Sequence, residues 1–170
     1  MTIRKTTAAD IDGIVPILDE ARRTIAALGI NQWQDGYPNR EVIEEDVRLG
    51  QSYVLVKDGH VIGTFALITC GDPTYDVIEH GHWTTGDDNR NYNAVHRVAI
   101  AVASRGSGAS TAMIGFAADL TRMAGKTSVR IDTHEGNRVM RRMLEKHGFV
   151  HCGTIYLANG DPRVAYELTV

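Results

Sequence analysis

Cysteine is scarce in this chain: 170 residues hold only Cys70 and Cys152. Their positions show no metal-ligand spacing, so both read as buried thiols of a reducing compartment. Long apolar runs are missing too. No stretch approaches the ~18 residues that a bilayer-crossing helix needs. The opening residues Met1-Thr2-Ile3-Arg4-Lys5 lack the hydrophobic segment of a secretory signal, so the expected location is the cytoplasm. An excess of positive charge is likewise missing, with 18 Lys and Arg against 21 Asp and Glu and a formal net charge of -3. That balance points to no nucleic-acid partner and no membrane surface. Repeats and low-complexity tracts are not evident. What remains fits one domain, 1–170, large enough for a real core.

Hydrophobic periodicity supplies the elements. A short strand at 3–5 precedes a helix in which Ile11, Ile14, Val15, Leu18, Ala21, Ile25 and Leu28 recur on one face, with Gly29 ending it. Pro16 should kink that helix or lie near its start. A loop with two aromatics, Trp33 and Tyr37, leads to a second helix over 40–49 that closes before Gly50. Strands at 52–56 and 60–69 flank Lys57-Asp58-Gly59, a hairpin signal. Residues 70–91 break the pattern and read as a long surface excursion with a Gly-Asp-Asp-Asn tract at 86–89. A strand at 92–101 follows, then a helix carrying Ala109, Ala112, Met113, Phe116, Ala117 and Leu120 at helical spacing up to Gly125. The chain finishes with a strand at 128–132, a helix capped by Asn137 and stopped by Gly148, and strands at 150–157 and 163–169 around Asn159-Gly160-Asp161-Pro162.

The order β-α-α-β-β-β-α-β-α-β-β predicts an α/β (α+β) domain. Its central sheet is mixed, mostly antiparallel and of about seven strands, flanked by about four helices, with at least one βαβ crossover.

The junction after the 92–101 strand carries the chemistry. In Val102-Ala103-Ser104-Arg105-Gly106-Ser107-Gly108-Ala109-Ser110 two glycines let the backbone turn tightly and expose successive N–H groups. The following helix aims its positive end at the same spot, which makes the segment an anion cradle for a phosphate-bearing ligand. A plain glycine-rich connection would look similar.

Here the sequence resembles the GNAT superfamily of acyl-CoA-dependent N-acetyltransferases. Arg105-Gly106-Ser107-Gly108-Ala109-Ser110 matches the family's Arg/Gln-x-x-Gly-x-Gly/Ala motif, with Ser110 at the last small position. Asn137 through Phe149 matches a second family stretch, Asn-x-x-Ala-x-x-Leu-Tyr-Glu-Lys-x-Gly-Phe, and the element order agrees over nearly the whole chain. The resemblance implies acetyl-CoA as cofactor. Amides of Gly106, Ser107, Gly108, Ala109, Ser110 and Thr111 would hold its pyrophosphate, and Arg105 would add charge or brace the loop. Backbone groups of Val98, Ala99 and Ile100 would pair with the pantetheine arm like an added strand, admitted by splaying of the neighbouring strand. Asn137 would reach the same arm or serve only as a helix cap.

The implied reaction is transfer of an acetyl group to a primary amine, by direct attack in a ternary complex, since neither cysteine sits in a motif for a covalent intermediate. His96 is the candidate base: it lies on the strand beside the expected cofactor path, and an imidazole's ordinary pKa of ~6.5 suits proton uptake. His96-Arg97-Val98-Ala99-Ile100 is also similar to the serotonin N-acetyltransferase branch, which uses a histidine at this strand position. His134 is the second candidate and is grouped with the substrate contacts. Leu144 stands where many members place the tyrosine that protonates the leaving thiolate. Tyr156 is the preferred replacement, with Tyr92 and Tyr166 as alternatives.

Trp33, Tyr37 and Trp83 are expected to line the acceptor pocket, or else to cover the core. Glu44, Glu45 and Asp46 could select a cationic amine, or form a solvated face. His80-Gly81-His82 has no further ligands at metal spacing, so no metal is expected. The expected partner is a small-molecule amine; a homodimer is compatible with the chain. Two rival readings compete with this one. A dinucleotide-binding domain would use Gly106, Gly108 and Asp132, but Thr111 replaces the third glycine. A non-catalytic coenzyme A-binding sensor or scaffold would account for Leu144.

Overall fold

The structure is a computed structural model that describes residues 1–87 and 90–170. Asp88 and Asn89, part of the expected loop tract at 86–89, lie outside the described residues. The elements run β1 (Thr2–Lys5), α1 (Ile11–Ala26), α2 (Arg40–Arg48), β2 (Ser52–Lys57), β3 (His60–Ile68) and β4 (Tyr92–Ile100). They continue with α3 (Ala109–Met123), β5 (Ser128–Thr133), α4 (Arg138–Lys146), β6 (Val150–Tyr156) and β7 (Pro162–Thr169). Among the described residues seven strands form one mixed sheet in the order β1-β2-β3-β4-β5-β7-β6, flanked by four helices. The pair β4–β5 is parallel, joined through α3, while β1–β2, β2–β3, β5–β7 and β6–β7 are antiparallel. A doubly wound sheet is thereby excluded, and with it the dinucleotide reading.

Two compact units are distinguished, Met1–Leu67 with Arg97–Met113, and Ile68–His96 with Ile114–Val170. In the first, α1 turns Ile11, Ile14, Ile17 and Leu18 onto Ile43 of α2, Val54 of β2 and Ala99 of β4. Burial of each such aliphatic side chain stabilises the fold by about 1.5–3 kcal/mol. A reciprocal capping arrangement at Thr7 and Asp10 starts α1 through a short 3-10 turn, and Arg4 grips the same Asp10 carboxylate with both guanidinium nitrogens at 2.7 and 2.8 Å. Pro16 lies inside α1, in its second turn. The β2–β3 hairpin turns at Asp58 and Gly59, both with positive φ (51° and 80°), which is the geometry that the Asp-Gly pair favours.

In the second unit Tyr75, Trp83, Tyr92, Ala94, Cys152, Ile155 and Ala165 form the core. The 70–91 segment is therefore no simple surface excursion. It makes a 3-10 turn at Pro73–Tyr75, sinks Tyr75 and Trp83 to 0% and 1% exposure, and bridges Glu79 to Thr154 of β6 through two 2.8 Å backbone hydrogen bonds. Cys152 is buried as expected, but Cys70 is exposed because it sits at the start of that segment, past the end of β3. Among the described residues no helix is long and apolar enough to cross a membrane.

Candidate active site

The parallel ladder between β4 and β5 covers only three residue pairs, ending at Ala94 and Arg130, although both strands continue. The strands part at that point. His96 lies two positions past the split on β4, and Asp132 two positions past it on β5. His96 Nδ1 is 4.0 Å from Asp132 Oδ1, and His96 Nε2 is 2.7 Å from Asp72 Oδ2. The Asp72 oxygen sits off the imidazole N–H line, so Nε2 has an ionic partner but no linear hydrogen bond. The Tyr75 ring packs 5.7 Å from the imidazole, and its hydroxyl donates to Asp132 Oδ1 at 2.7 Å.

The surroundings fix these charges. Burial works against ionisation of Asp72, but His96, the Thr74 hydroxyl and the Thr74 N–H outweigh it and hold the carboxyl down to about 2. Tyr75 is pushed well above the ordinary phenol value, first by burial and then by the Asp132 charge, so it remains a neutral donor. Asp72 itself is anchored through its backbone: its N–H donates to the Tyr92 hydroxyl at 2.9 Å, which donates to the Asp72 carbonyl at 3.2 Å. An imidazole with a carboxylate on each nitrogen, at the mouth of a strand split, is equipped to take up and hold a proton. Sequence reasoning found His96 but missed Asp72 and Tyr75, and knew Asp132 only as a ribose-binding candidate.

In the first unit, β4 leads into a 3-10 turn at Val102–Ser104 and then the glycine turn. Gly106 and Gly108 have φ of 78° and 83°, and among the described residues nothing beyond their chain neighbours lies within 4 Å of where a Cβ would stand on either. Gly106, Ser107 and Gly108 are exposed, and α3 starts at Ala109, where first-turn N–H groups have no acceptor within the helix. These residues fit a pyrophosphate cradle: open on the outside, with left-handed conformations only glycine adopts freely. Arg105 donates to Thr24 Oγ1 at 3.1 Å, and the Val102 N–H donates to Glu20 at 3.0 Å, so α1 braces the loop. Val98 and Ile100 are half-buried and Ala99 is buried on β4; Ser110 is half-buried and Thr111 exposed in the first turn of α3.

Arg97 is the surprise of this unit. It adopts φ of 53° inside a strand, a left-handed conformation that is uncommon outside glycine. Its guanidinium grips Asp46 in a two-pronged pair at 2.6 and 2.8 Å and donates to the Tyr37 hydroxyl at 2.9 Å. Tyr37 packs edge-on to Trp33 with ring centroids 6.5 Å apart, so the aromatic loop is fastened to β4. Each carboxylate of the acidic run has a basic neighbour. Asp46 is committed to Arg97, Glu45 to Arg48, and Glu44 lies 3.7 Å from Arg40.

Other expected site residues are placed as follows. Trp83 is buried, with its indole N–H donating to the Tyr75 carbonyl at 3.0 Å, so it packs the core and does not line an acceptor pocket. The Asn137 side chain caps α4 by accepting from the Met140 N–H at 3.2 Å. His134 Nδ1 accepts from the Gly136 N–H at 3.0 Å, which ties it to the turn before α4. Tyr156 ends β6 and is 42% exposed. Tyr92 is spent on Asp72, and the Tyr166 hydroxyl accepts from Arg141 and donates to Glu145, so neither alternative is a free donor. Leu144 is fully buried. Among the described residues no group of His, Cys, Asp and Glu could hold a metal ion.

Residues 17–149 match the model of the acetyltransferase (GNAT) family. The chain belongs to the GNAT family. A GNAT-family acetyltransferase from Streptococcus agalactiae is 37% identical and superposes with a TM-score of 0.88, covering 99% of this chain and 95% of that one. A GNAT-family acetyltransferase from Listeria monocytogenes, 21% identical, covers 99% of this chain and 94% of its own at TM-score 0.74. The ribosomal-protein-alanine N-acetyltransferase of Brucella melitensis, 18% identical, covers both chains fully at TM-score 0.67. The last two share the fold alone. No curated protein matches the sequence. As a GNAT protein the chain is an acetyltransferase; members of the family generally draw on acetyl-CoA and act on amine acceptors.

Proposed function

We propose that this GNAT protein, acting as one domain, transfers the acetyl group of acetyl-CoA to the primary amine of a small molecule by direct attack in a ternary complex. The observation that carries the reading is His96, held past the β4–β5 split with Asp72 at 2.7 Å and Asp132 at 4.0 Å. Acetyl-CoA would supply the activated acyl group as a thioester. On the protein's side, the amides from Gly106 to Thr111 would neutralise pyrophosphate charge, with Arg105 nearby, and the Val98, Ala99 and Ile100 backbone would align the pantetheine arm. His96 would accept the proton that the amine must lose to attack. Tyr156, an exposed residue, is the candidate phenol left for protonating the thiolate, and solvent can do the same. Trp33 and Tyr37, held by Arg97, would contact the acceptor, with His134 as a further contact.

The test begins with calorimetric titration of acetyl-CoA, with NADH as control, followed by turnover over a panel of small amines. Micromolar binding of acetyl-CoA alone, intersecting double-reciprocal plots, and loss of turnover in His96→Ala with binding intact are the expected results. Absence of acetyl-CoA binding removes the cofactor assignment, and parallel plots overturn direct attack in favour of an acyl-enzyme.

A further inference from the structure

The reading of His96 as base leaves open which ring nitrogen takes the proton, and the surroundings of the imidazole answer that. Asp72 Oδ2 lies 2.7 Å from Nε2. With a charged carboxylate at that distance the contact is attractive only if Nε2 carries a proton, because two lone pairs would otherwise face each other. Asp72 has every reason to stay charged: its Oδ1 accepts from the Thr74 N–H at 2.8 Å, and its backbone is held from both sides by the Tyr92 hydroxyl. On the other nitrogen the situation is reversed. Asp132 Oδ1 stands 4.0 Å from Nδ1, beyond direct hydrogen-bonding distance, and already receives the Tyr75 hydroxyl. Among the described residues, Asp72 and Tyr75 from the 70–91 segment and Asp132 from β5 are the titratable groups found against the ring. None of them donates to Nδ1.

We propose that Asp72 is a positioning residue that fixes His96 as its Nε2–H tautomer, so that Nδ1 is the nitrogen that takes the proton from the acceptor amine. The step balances within the reaction already proposed. As the amine nitrogen bonds to the acyl carbon and the C–S bond breaks, the amine proton passes to Nδ1 and the electron pair of the broken bond leaves on sulfur. The imidazolium so formed has the Asp72 carboxylate 2.7 Å from Nε2, where the opposite charges attract.

The experiment is long-range proton–nitrogen NMR of the His96 side chain in the ligand-free protein, beside kcat and KM for an amine that the panel identifies. In the unaltered protein Nε2 should show the protonated and Nδ1 the unprotonated nitrogen shift. Asp72→Asn should mix the tautomers, so that both ring nitrogens show intermediate shifts. Its kcat should fall about tenfold or more with KM for acetyl-CoA unchanged, and Asp72→Glu should restore part of the Nε2–H preference. An Nδ1–H tautomer in the unaltered protein, or an Asp72→Asn spectrum identical to that of the unaltered protein, overturns the assignment; the first needs no variant to fold. Turnover surviving in His96→Gln overturns instead the role of His96 as base, whatever the spectrum shows.

Discussion

Gly81 and Cys152 approach so closely that a Cβ on residue 81 would stand 1.9 Å from the Cys152 carbonyl oxygen. The neighbouring strand shows the same tightness, since a Cβ on Gly153 would lie 2.6 Å from the Glu79 carbonyl oxygen. The segment that carries Asp72 and Tyr75 is thus laid directly on the β6 backbone. The His80-Gly81-His82 sequence owes its glycine to this contact, and both histidines are exposed.

Gly81→Ala should therefore destabilise the protein by about 2–3 kcal/mol, because backbone, unlike a flexible side chain, cannot move aside cheaply. Urea unfolding measures it. An unchanged midpoint would mean that the segment does not rest on β6 as described.

A second fastening is the ion pair of Arg130 and Glu167, 2.9 Å apart with side chains 1% and 0% exposed. The guanidinium lies over the rings of Trp83 and Tyr92 at 4.2 and 4.1 Å and donates to the Gly86 carbonyl at 2.8 Å. Burial opposes the charge on Glu167, but donors from Ser128, Thr85 and Arg130 keep its pKa below the ordinary value. Arg130→Met strands a buried carboxylate and should cost about 3–5 kcal/mol. Adding Glu167→Gln should recover part of that, with a coupling energy of about 2 kcal/mol in a double-mutant cycle. Additive losses would show that the pair contributes nothing beyond its separate contacts.

These fastenings mark the limit of what the sequence discloses. The hairpin at Asp58-Gly59, the cap at Asn137 and the glycine turn at Gly106 and Gly108 are local: one or two residues specify a backbone conformation, and the structure has them where the residues demand. His96 was legible because it sits on a periodic strand beside the glycine turn. Its partners were not. Asp72 and Tyr75 come from a stretch with no periodicity, ordered by pairings far along the chain, Tyr75 with Asp132 and Glu79 with Thr154. Trp83 reads equally as pocket lining or core cover, because an aromatic in an irregular segment gives no sign of which way it faces. Arg130 gave no sign of burial either, since a strand arginine ordinarily faces water.

At the cradle, Gly108→Glu should abolish acetyl-CoA binding while leaving the fold largely intact. The open space beside the glycine accepts the side chain, but the φ of 83° makes any L-residue strained at a cost of about 1–2 kcal/mol. The new carboxylate would then stand where a pyrophosphate must sit. Calorimetric titration checks this, with circular dichroism to confirm folding. Unchanged acetyl-CoA affinity in that variant removes Gly108 from the site.

Acid should unfold the protein through a few identifiable carboxyls. Asp10 is held well below the ordinary aspartate range, chiefly by hydrogen bonds from Arg4, against burial and with help from Thr7. Asp72 lies at about 2 and Glu167 is also lowered. A carboxyl whose folded pKa is depressed contributes stability that is fully present above its unfolded value of ~4 and is lost as pH falls through the folded value. Stability should accordingly stay level with respect to these groups from neutral pH to about 5, then decline toward pH 2 and below. Asp10→Asn removes one of these terms. It should be less stable than the unaltered protein at pH 7, and the two stability curves should draw together as pH drops below ~4. Curves that stay parallel across that range would show that the Arg4 pairing leaves Asp10's titration unshifted between the folded and unfolded chains.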